Sequence, residues 1–402
     1  MSNGEQHHHH RKVHHMSMTL DVQPNLVLER TRELTAEIAE RAREIEHSRA
    51  VPMDIIDRLQ EAGVFRMSLP RSVGGEEFGL VEASDVIFEI AKADASTAWQ
   101  VMVSQGMPWF VSRLPSETLH SLYADGPDML IKGAFAPKGR AVPVEGGYRL
   151  SGRWPLASGN FRYRKVIAGF LIQEKDGVRM MPDGKMPDIR FAVVDPDQVT
   201  FLDTWDAVGL RGTHSDDFTI EDVFVPEEWT GPFVGESNFE GAYFNLPPVP
   251  TGPHHLGVAM GILRGAIDDV ATLSLTKRGA YNPSKLLCQD EVFLNSFGEV
   301  EVQACALDAL RQDVAVTVMS RAEAGGAPSP IEISRLAAAT SFGHHEAMRL
   351  VNKLVELAGS QAIYSSHPLQ RRFRDIRAAS QHVAAYTSNY TTHGAALVDA
   401  VR

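Results

Sequence analysis

Gly146-Gly-Tyr-Arg-Leu-Ser-Gly-Arg-Trp-Pro-Leu-Ala-Ser-Gly159 is the stretch on which the fold turns. Two adjacent glycines mark a tight turn, and Tyr148, Leu150 and Gly152 follow at the two-residue period of a strand. Lys165 to Ile172 and Arg190 to Val194 are further short apolar runs bounded by Asp, Gly and Pro. Phe218, Ile220, Asp222 and Phe224 are expected on one face of a strand that stops at Pro226. These runs set a β domain, residues 130–240, inside a chain that otherwise reads as helical.

Upstream, over residues 21–129, Leu34, Ile38, Ala42 and Ile45 recur at three- and four-residue steps. Ile55, Ile56, Leu59 and Ala62 repeat the pattern before Gly63 closes it. Pro70 to Gly79 is a loop, a third helix is expected over Val81 to Lys92, and a fourth starts near Ser96 and carries Trp99. Past a Pro-rich linker, Leu246 to Pro253, the helical period returns over residues 250–402. Its four segments are 254–278, 289–324, 330–358 and 368–398. Ser329 is placed to cap the third, Pro330 to open it and Gly359-Ser360 to end it. Long antiparallel helices on short connections make a bundle. The fold class is therefore α+β: an N-terminal all-α domain, a central β domain and a C-terminal four-helix bundle. Residues 1–20, with His7 to His10, His14 and His15, read as an added or disordered tail.

With 402 residues, 44% hydrophobic and 22% charged, the chain can pack two or three regions of a soluble globular protein. No uninterrupted apolar run approaches the roughly 20 residues of a membrane span. A net charge of -12 argues against a nucleic-acid surface. Cys288 and Cys305 have no metal-type spacing, which points to a reducing, cytoplasmic setting without disulfides. No phosphate-binding glycine loop, nucleophile elbow or zinc helix is present. His344-His345 and His254-His255 are adjacent pairs whose side chains point about 100° apart on a helix, so no metal site is expected at either.

Three stretches can carry chemistry. Arg371-Arg-Phe-Arg-Asp-Ile-Arg-Ala-Ala-Ser-Gln-His382 spaces Arg371, Asp375 and His382 at heptad-compatible steps of four and seven. On one continuous helix Asp375 and His382 would share a face about 10 Å apart, with an imidazole beside a ligand; the plainer alternative is a surface helix whose histidine merely packs. Trp154 offers an aromatic plane, and Ser158 before Gly159 puts a hydroxyl where backbone can approach a planar ligand; the alternative is a strand turn with a core tryptophan. Gly209-Leu-Arg-Gly-Thr-His-Ser215 is a polar loop ahead of a strand.

In order and spacing these pieces resemble the acyl-CoA dehydrogenase fold over about residues 24–398, with Glu61-Ala-Gly-Val-Phe65, the Gly209 loop ahead of Val223-Phe-Val-Pro226, and Arg374-Asp375. Dehydrogenases of that family with a late glutamate base carry it soon after the Arg-Asp pair; the corresponding Ser380 to Tyr386 has no carboxylate. Pro368-Leu-Gln-Arg371, Arg374-Asp375 and His382, together with Gly147 to Trp154 running into Ala157-Ser-Gly159, are instead similar to the flavin-dependent monooxygenases of the fold (group D), oxygenase components of two-component systems.

That resemblance implies a reduced flavin, FADH2 or FMNH2, delivered by a separate NAD(P)H-flavin reductase. Through a C4a-hydroperoxyflavin formed with O2 it would hydroxylate a small aromatic or heteroaromatic substrate, phenolic or indole-like. It implies catalytic roles for Ser158, near flavin N5, and His382, facing the reacting end of the ring and able to accept a substrate proton or steady the peroxide. Cofactor contacts would come from Trp154, Ser158, Arg278, Gly359, Ser360 and Arg371, with Arg278 at the phosphates and Gly359-Ser360 reaching across a subunit boundary of a homotetramer. Met107 and Trp109 would line the substrate pocket, Met107 standing where phenol hydroxylases of the group often carry a histidine. The alternatives are an FAD-containing acyl-CoA dehydrogenase or oxidase, and a flavin-binding paralogue without catalysis.

Overall fold

In the computed structural model, which describes residues 25–247, 251–279 and 283–402, the N-terminal periodic segments are helices. They are α1 (Leu26–Glu40), α2 (Ala42–Ser48), α3 (Met53–Glu61), α4 (Leu80–Ala93), α5 (Ala95–Val111) and α6 (Ser116–Leu122). The expected tail at 1–20 and part of the Pro-rich linker lie outside the described residues. Asp94 starts α5 as its N-cap, accepting from the Thr97 amide at 2.7 Å and the Thr97 hydroxyl at 2.8 Å.

The sheet comprises β1 (Leu130–Val144), β2 (Gly147–Ala157), β3 (Tyr163–Glu174), β4 (Gly177–Val178), β5 (Ile189–Val194), β6 (Thr200–Phe201), β7 (Asp216–Pro226) and β8 (Thr230–Pro232). Its order is β6-β7-β2-β1-β3-β5-β8, with β4 paired to β3. β1 and β3 run parallel, while the other neighbours are antiparallel. β1 has no counterpart among the expected strands, because Gly133, Pro137 and Gly139 interrupt its alternation.

One strand departs from its expected pattern. Leu150 pairs with Val223 but Gly152 with Ile220, so two steps on β2 face three on β7, and Asp222 takes up the extra residue at φ 50°. This bulge reverses the pleat. Phe218 and Ile220 are buried as expected, but Phe224 faces solvent and Val225 takes the core position.

The C-terminal helices are α7 (Gly252–Ser274), α8 (Glu291–Glu323), α9 (Pro330–Ala358), α10 (Pro368–Ala379) and α11 (Ser388–Asp399). Ser329 and Glu332 form a reciprocal capping box at the start of α9, and Gly359 ends it at φ 59°. The expected helix over 368–398 is broken instead. Ser380 caps α10 with its hydroxyl folded back on the Ile376 carbonyl at 2.7 Å, and a 3-10 turn, Val383–Ala385, precedes α11. His382 therefore lies off the helix that carries Arg371 and Asp375.

Helices from both ends of the chain share one core. Ile87 and Ile90 of α4, Val258 and Ile262 of α7, Leu350 and Leu354 of α9 and Ile376 of α10 belong to a single buried cluster. A second cluster surrounds Trp109, and a third lies within the sheet around Trp154, Phe170 and Phe218. Among the described residues no helix is long and apolar enough to cross a membrane.

Candidate functional site

Ser158 follows the last residue of β2, where Leu156 (φ 64°) and Gly159 (φ 116°) turn the chain. Only glycine fits at 159, since a Cβ would stand 2.2 Å from the Phe161 ring. The Ser158 hydroxyl, on a residue 8% exposed, accepts from Trp99 Nε1 at 3.3 Å and lies 2.7 Å from Ser215 Oγ. Ser215 Oγ is 2.6 Å from Thr213 Oγ1, which donates to the Leu210 carbonyl at 2.8 Å. Gln100, one residue past Trp99, bonds the Asn160 side chain at 2.6 Å and the Gly212 carbonyl at 2.9 Å, holding both loops against α5.

Trp99 also gathers histidines. Its ring meets His255 edge-on at 5.4 Å and His382 at 5.6 Å, while His255 and His382 stack at 4.3 Å with 28° between planes. His344 lies 6.1 Å from His255. Neighbours on one helix do diverge, as expected, but His255 from α7, His344 from α9 and His382 from beyond α10 converge across helices. Sequence reasoning missed His255 and His344 for that reason. Among the described residues no group of three or more His, Cys, Asp or Glu is arranged to hold a metal ion.

Burial, the largest influence on each ring, holds His382 down to about 4, His254 to about 4 and His344 to about 3, and holds His255 well below the ordinary histidine range. All four are neutral at pH 7. Nδ1 of His255 and both ring nitrogens of His344 are buried without a hydrogen-bond partner. His382 Nδ1 accepts from the Ala384 amide at 3.2 Å, which assigns the ring proton to Nε2. This corrects the expectation of a proton-accepting His382. Its basic nitrogen is engaged by backbone, so the ring offers a neutral Nε2–H donor.

A second polar cluster lies at the foot of α5. Asp375 Oδ1 accepts from the Leu210 amide at 2.7 Å, and buried Arg371 sets its charge against Asp94 and Asp375. Burial and the neighbouring Asp94 push Asp375 up to about 7, with Arg371 and Arg374 opposing. Arg374 donates to the Val208 carbonyl at 2.7 Å, and a Cβ at Gly209 would stand 2.2 Å from the Arg374 carbonyl oxygen. The Gly209 loop is thus a bracket, docked on α10 at one end and bonded towards Ser158 at the other. Arg371 is buried with its charge set towards Asp94 and Asp375, whereas a cofactor contact is expected of it from the sequence.

Two aromatic expectations are also corrected. Trp154 is fully buried, stacks on Phe218 at 5.0 Å and donates to the Gly169 carbonyl at 2.6 Å, leaving no face for a ligand. Trp109 is fully buried, donates to the Leu246 carbonyl at 3.0 Å and carries Arg113 over its ring at 3.4 Å. Met107 packs in the same cluster, and both lie about 12–15 Å along α5 from Trp99, so Trp99 is the tryptophan of the site. The open cleft lined by Arg113, Arg190, Glu227, Glu228 and Asn238 contains no residue of either polar cluster.

Arg278 is exposed and donates to the carbonyls of Pro283 and Ser284 at 3.0 and 3.2 Å. Gly359 and Ser360 are exposed at the end of α9, where Lys277 donates to the Ala358 carbonyl. Lys277 thus brings the Arg278 region to the Gly359 turn. Enclosed imidazole nitrogens beside a hydroxyl and an indole suit a planar heteroaromatic group bearing N–H and C=O functions, as a flavin does.

The model for the acyl-CoA dehydrogenase N-terminal domain matches residues 25–123, and that for the acyl-CoA dehydrogenase C-terminal domain matches 254–386. Indole-3-acetate monooxygenase of Pseudomonas putida is 30% identical over 89% of this chain and 90% of its own length. The oxygenase component of the FADH2-dependent resorcinol hydroxylase of a Rhizobium species is 28% identical over 85% of this chain and 86% of its own. The solved structure of XiaF from a Streptomyces species, in complex with FADH2 and glycerol, shares the fold with a TM-score of 0.83 and 24% identity. That alignment covers 93% of this chain and 95% of that one.

Proposed function

Because the chain belongs to the acyl-CoA dehydrogenase family, among its flavin-dependent monooxygenase oxygenase components, we propose that it hydroxylates a small aromatic or heteroaromatic substrate, phenolic or indole-like, with reduced flavin and O2. The observation that carries this is the meeting of Ser158, Trp99, His255 and His382, a site of hydroxyl, indole and neutral imidazoles. A dehydrogenase base at this point would be a carboxylate, whereas Asp94 and Asp375 are committed to the Thr97 and Leu210 amides.

Reduced flavin, FADH2 or FMNH2, supplies the electrons that activate O2 for transfer of one oxygen atom to the substrate. Ser158 would hold the flavin at N5 as a hydrogen-bond acceptor, without offering acid. His382 would offer its Nε2–H as a donor to a substrate oxygen, and its burial keeps the ring neutral. His255 presents an imidazole that can accept from a ring O–H or N–H. Packing around Trp99 excludes water, which otherwise diverts oxygen to hydrogen peroxide. Lys277, Arg278, Gly359 and Ser360 would hold the phosphate end of the cofactor.

The electrons come from a separate NAD(P)H-flavin reductase, and the working form is a homotetramer. Val292, Val302 and Ile363, 77%, 70% and 76% exposed, give apolar surface for subunit contacts. Two free cysteines support a cytoplasmic location. The test supplies chemically reduced FAD or FMN, 18O2 and a panel of phenols and indoles. One 18O atom in a hydroxylated product, with a long-lived absorbance transient in stopped flow, is expected. Hydrogen peroxide alone with every aromatic, together with bleaching of bound FAD by an acyl-CoA, would sink the proposal in favour of the dehydrogenase.

A further inference from the structure

The hydroxyl chain behind Ser158 has one direction. A carbonyl only accepts, so Thr213 must give its hydroxyl hydrogen to Leu210 at 2.8 Å. Thr213 Oγ1 can then only accept from Ser215 at 2.6 Å, and Ser215 in turn only accepts from Ser158 at 2.7 Å. Trp99 Nε1, a donor without acceptor capacity, fixes the other side of Ser158 at 3.3 Å. The single hydrogen of Ser158 thus points away from the site, one lone pair is taken by Trp99, and one lone pair is open. Ser158 is an acceptor towards any ligand.

From this we propose that Thr213 and Ser215 are positioning residues that make the site select reduced over oxidised flavin. The proposal rests on Ser158 meeting flavin N5, as set out above. Reduced flavin carries a hydrogen on N5 and can donate to the open lone pair. Oxidised flavin presents a lone pair at N5, which opposes that of Ser158. Reversing the preference requires turning the whole chain, and the Leu210 carbonyl forbids it. Leu210 is itself fixed by its backbone N–H donating to Asp375 Oδ1 at 2.7 Å, so the bracket on α10 holds the end of the chain in place.

The experiment measures equilibrium dissociation constants of full-length protein for oxidised and anaerobically reduced FAD, and their ratio, in wild type and variants. Ser215→Ala frees the Ser158 hydrogen to turn outward. Oxidised FAD should then bind more tightly and reduced FAD less, narrowing the ratio roughly tenfold, the scale of one exchanged hydrogen bond. Thr213→Val should act in the same direction, while Ser215→Thr and Thr213→Ser should keep the wild-type ratio. In a Ser158→Ala background the Ser215→Ala change should have no further effect, since it acts through Ser158. An unchanged ratio in folded Ser215→Ala and Thr213→Val, or an effect persisting without Ser158, would overturn the proposal. Failure of the function itself appears separately, as wild type that binds flavin but hydroxylates no aromatic.

Discussion

The two buried polar clusters beside α5 are built on opposite plans. At the foot of the helix, Arg371, Asp94 and Asp375 are charged or chargeable groups set against one another, and Asp375 is hydrogen-bonded to backbone. About one and a half turns further on, around Trp99, His255, His344 and His382 are neutral, and three ring nitrogens of His255 and His344 have no partner. A satisfied buried cluster holds elements in register, whereas an unsatisfied one costs stability and is retained for a ligand. The difference separates what docks the Gly209 loop on α10 from what the proposed function sets before a substrate.

The largest effect should come from breaking the charged cluster. Asp375→Ala leaves Arg371 short of a counter-charge and the Leu210 amide unpaired, and should cost about 3–5 kcal/mol in urea unfolding. A loss under about 1 kcal/mol would erase the contrast. His382→Ala, by comparison, should lower hydroxylation about 100-fold, in the range of one positioned donor, while costing only about 1 kcal/mol for the lost cap. If stability fell as far as in Asp375→Ala, the histidine cluster would be structural too.

The contrast sharpens with pH. Unfolded histidines bind protons below about pH 6.5, whereas His254, His344 and His382 do so in the fold only near about 4, about 3 and about 4. Stability should therefore fall as pH drops from about 6.5 to about 4, by at most about 1.4 kcal/mol per pH unit for each buried histidine. Asp375, raised to about 7, works in the other direction over the whole of this range, because its folded carboxyl keeps a proton that the unfolded one releases. Denaturant titrations at pH 7.5 and 5 read the net slope. His344→Leu removes one histidine's share and two orphaned nitrogens, and should gain about 1 kcal/mol at pH 7; a loss instead would mean that His344 has a partner within the fold. The smallest effect expected is that of Trp154→Phe, about 1 kcal/mol for its bond to Gly169, with flavin affinity unchanged. A tenfold loss of flavin affinity would return Trp154 to the site.

Much of the architecture was legible in the chain. Hydrophobic period, Ser329, Pro330 and Gly359 place α9 to the residue, and Gly146-Gly147 places the turn into β2, because these signals act through local backbone preference. The bulge at Asp222 and the end of α10 at Ala379 carry no such signal. No glycine or proline stands at either, and each depends on a partner strand or on side chains folding back. Ser158 was legible as a hydroxyl before a glycine, and it is in the candidate site.

The sequence by itself determined which residue types were available: a helical, strand, helical order, a hydroxyl at a strand end, and a late histidine in place of a carboxylate. Only the tertiary structure decided which tryptophan serves the site, turning Trp154 and Trp109 inward and Trp99 towards Ser158. It alone brought His255 and His344 to His382 and gave the Ser158 hydroxyl its direction. The physical reason is range. Helix period and caps are set within four residues, whereas the direction of a hydrogen-bond chain depends on groups that meet only after the loops between them have closed.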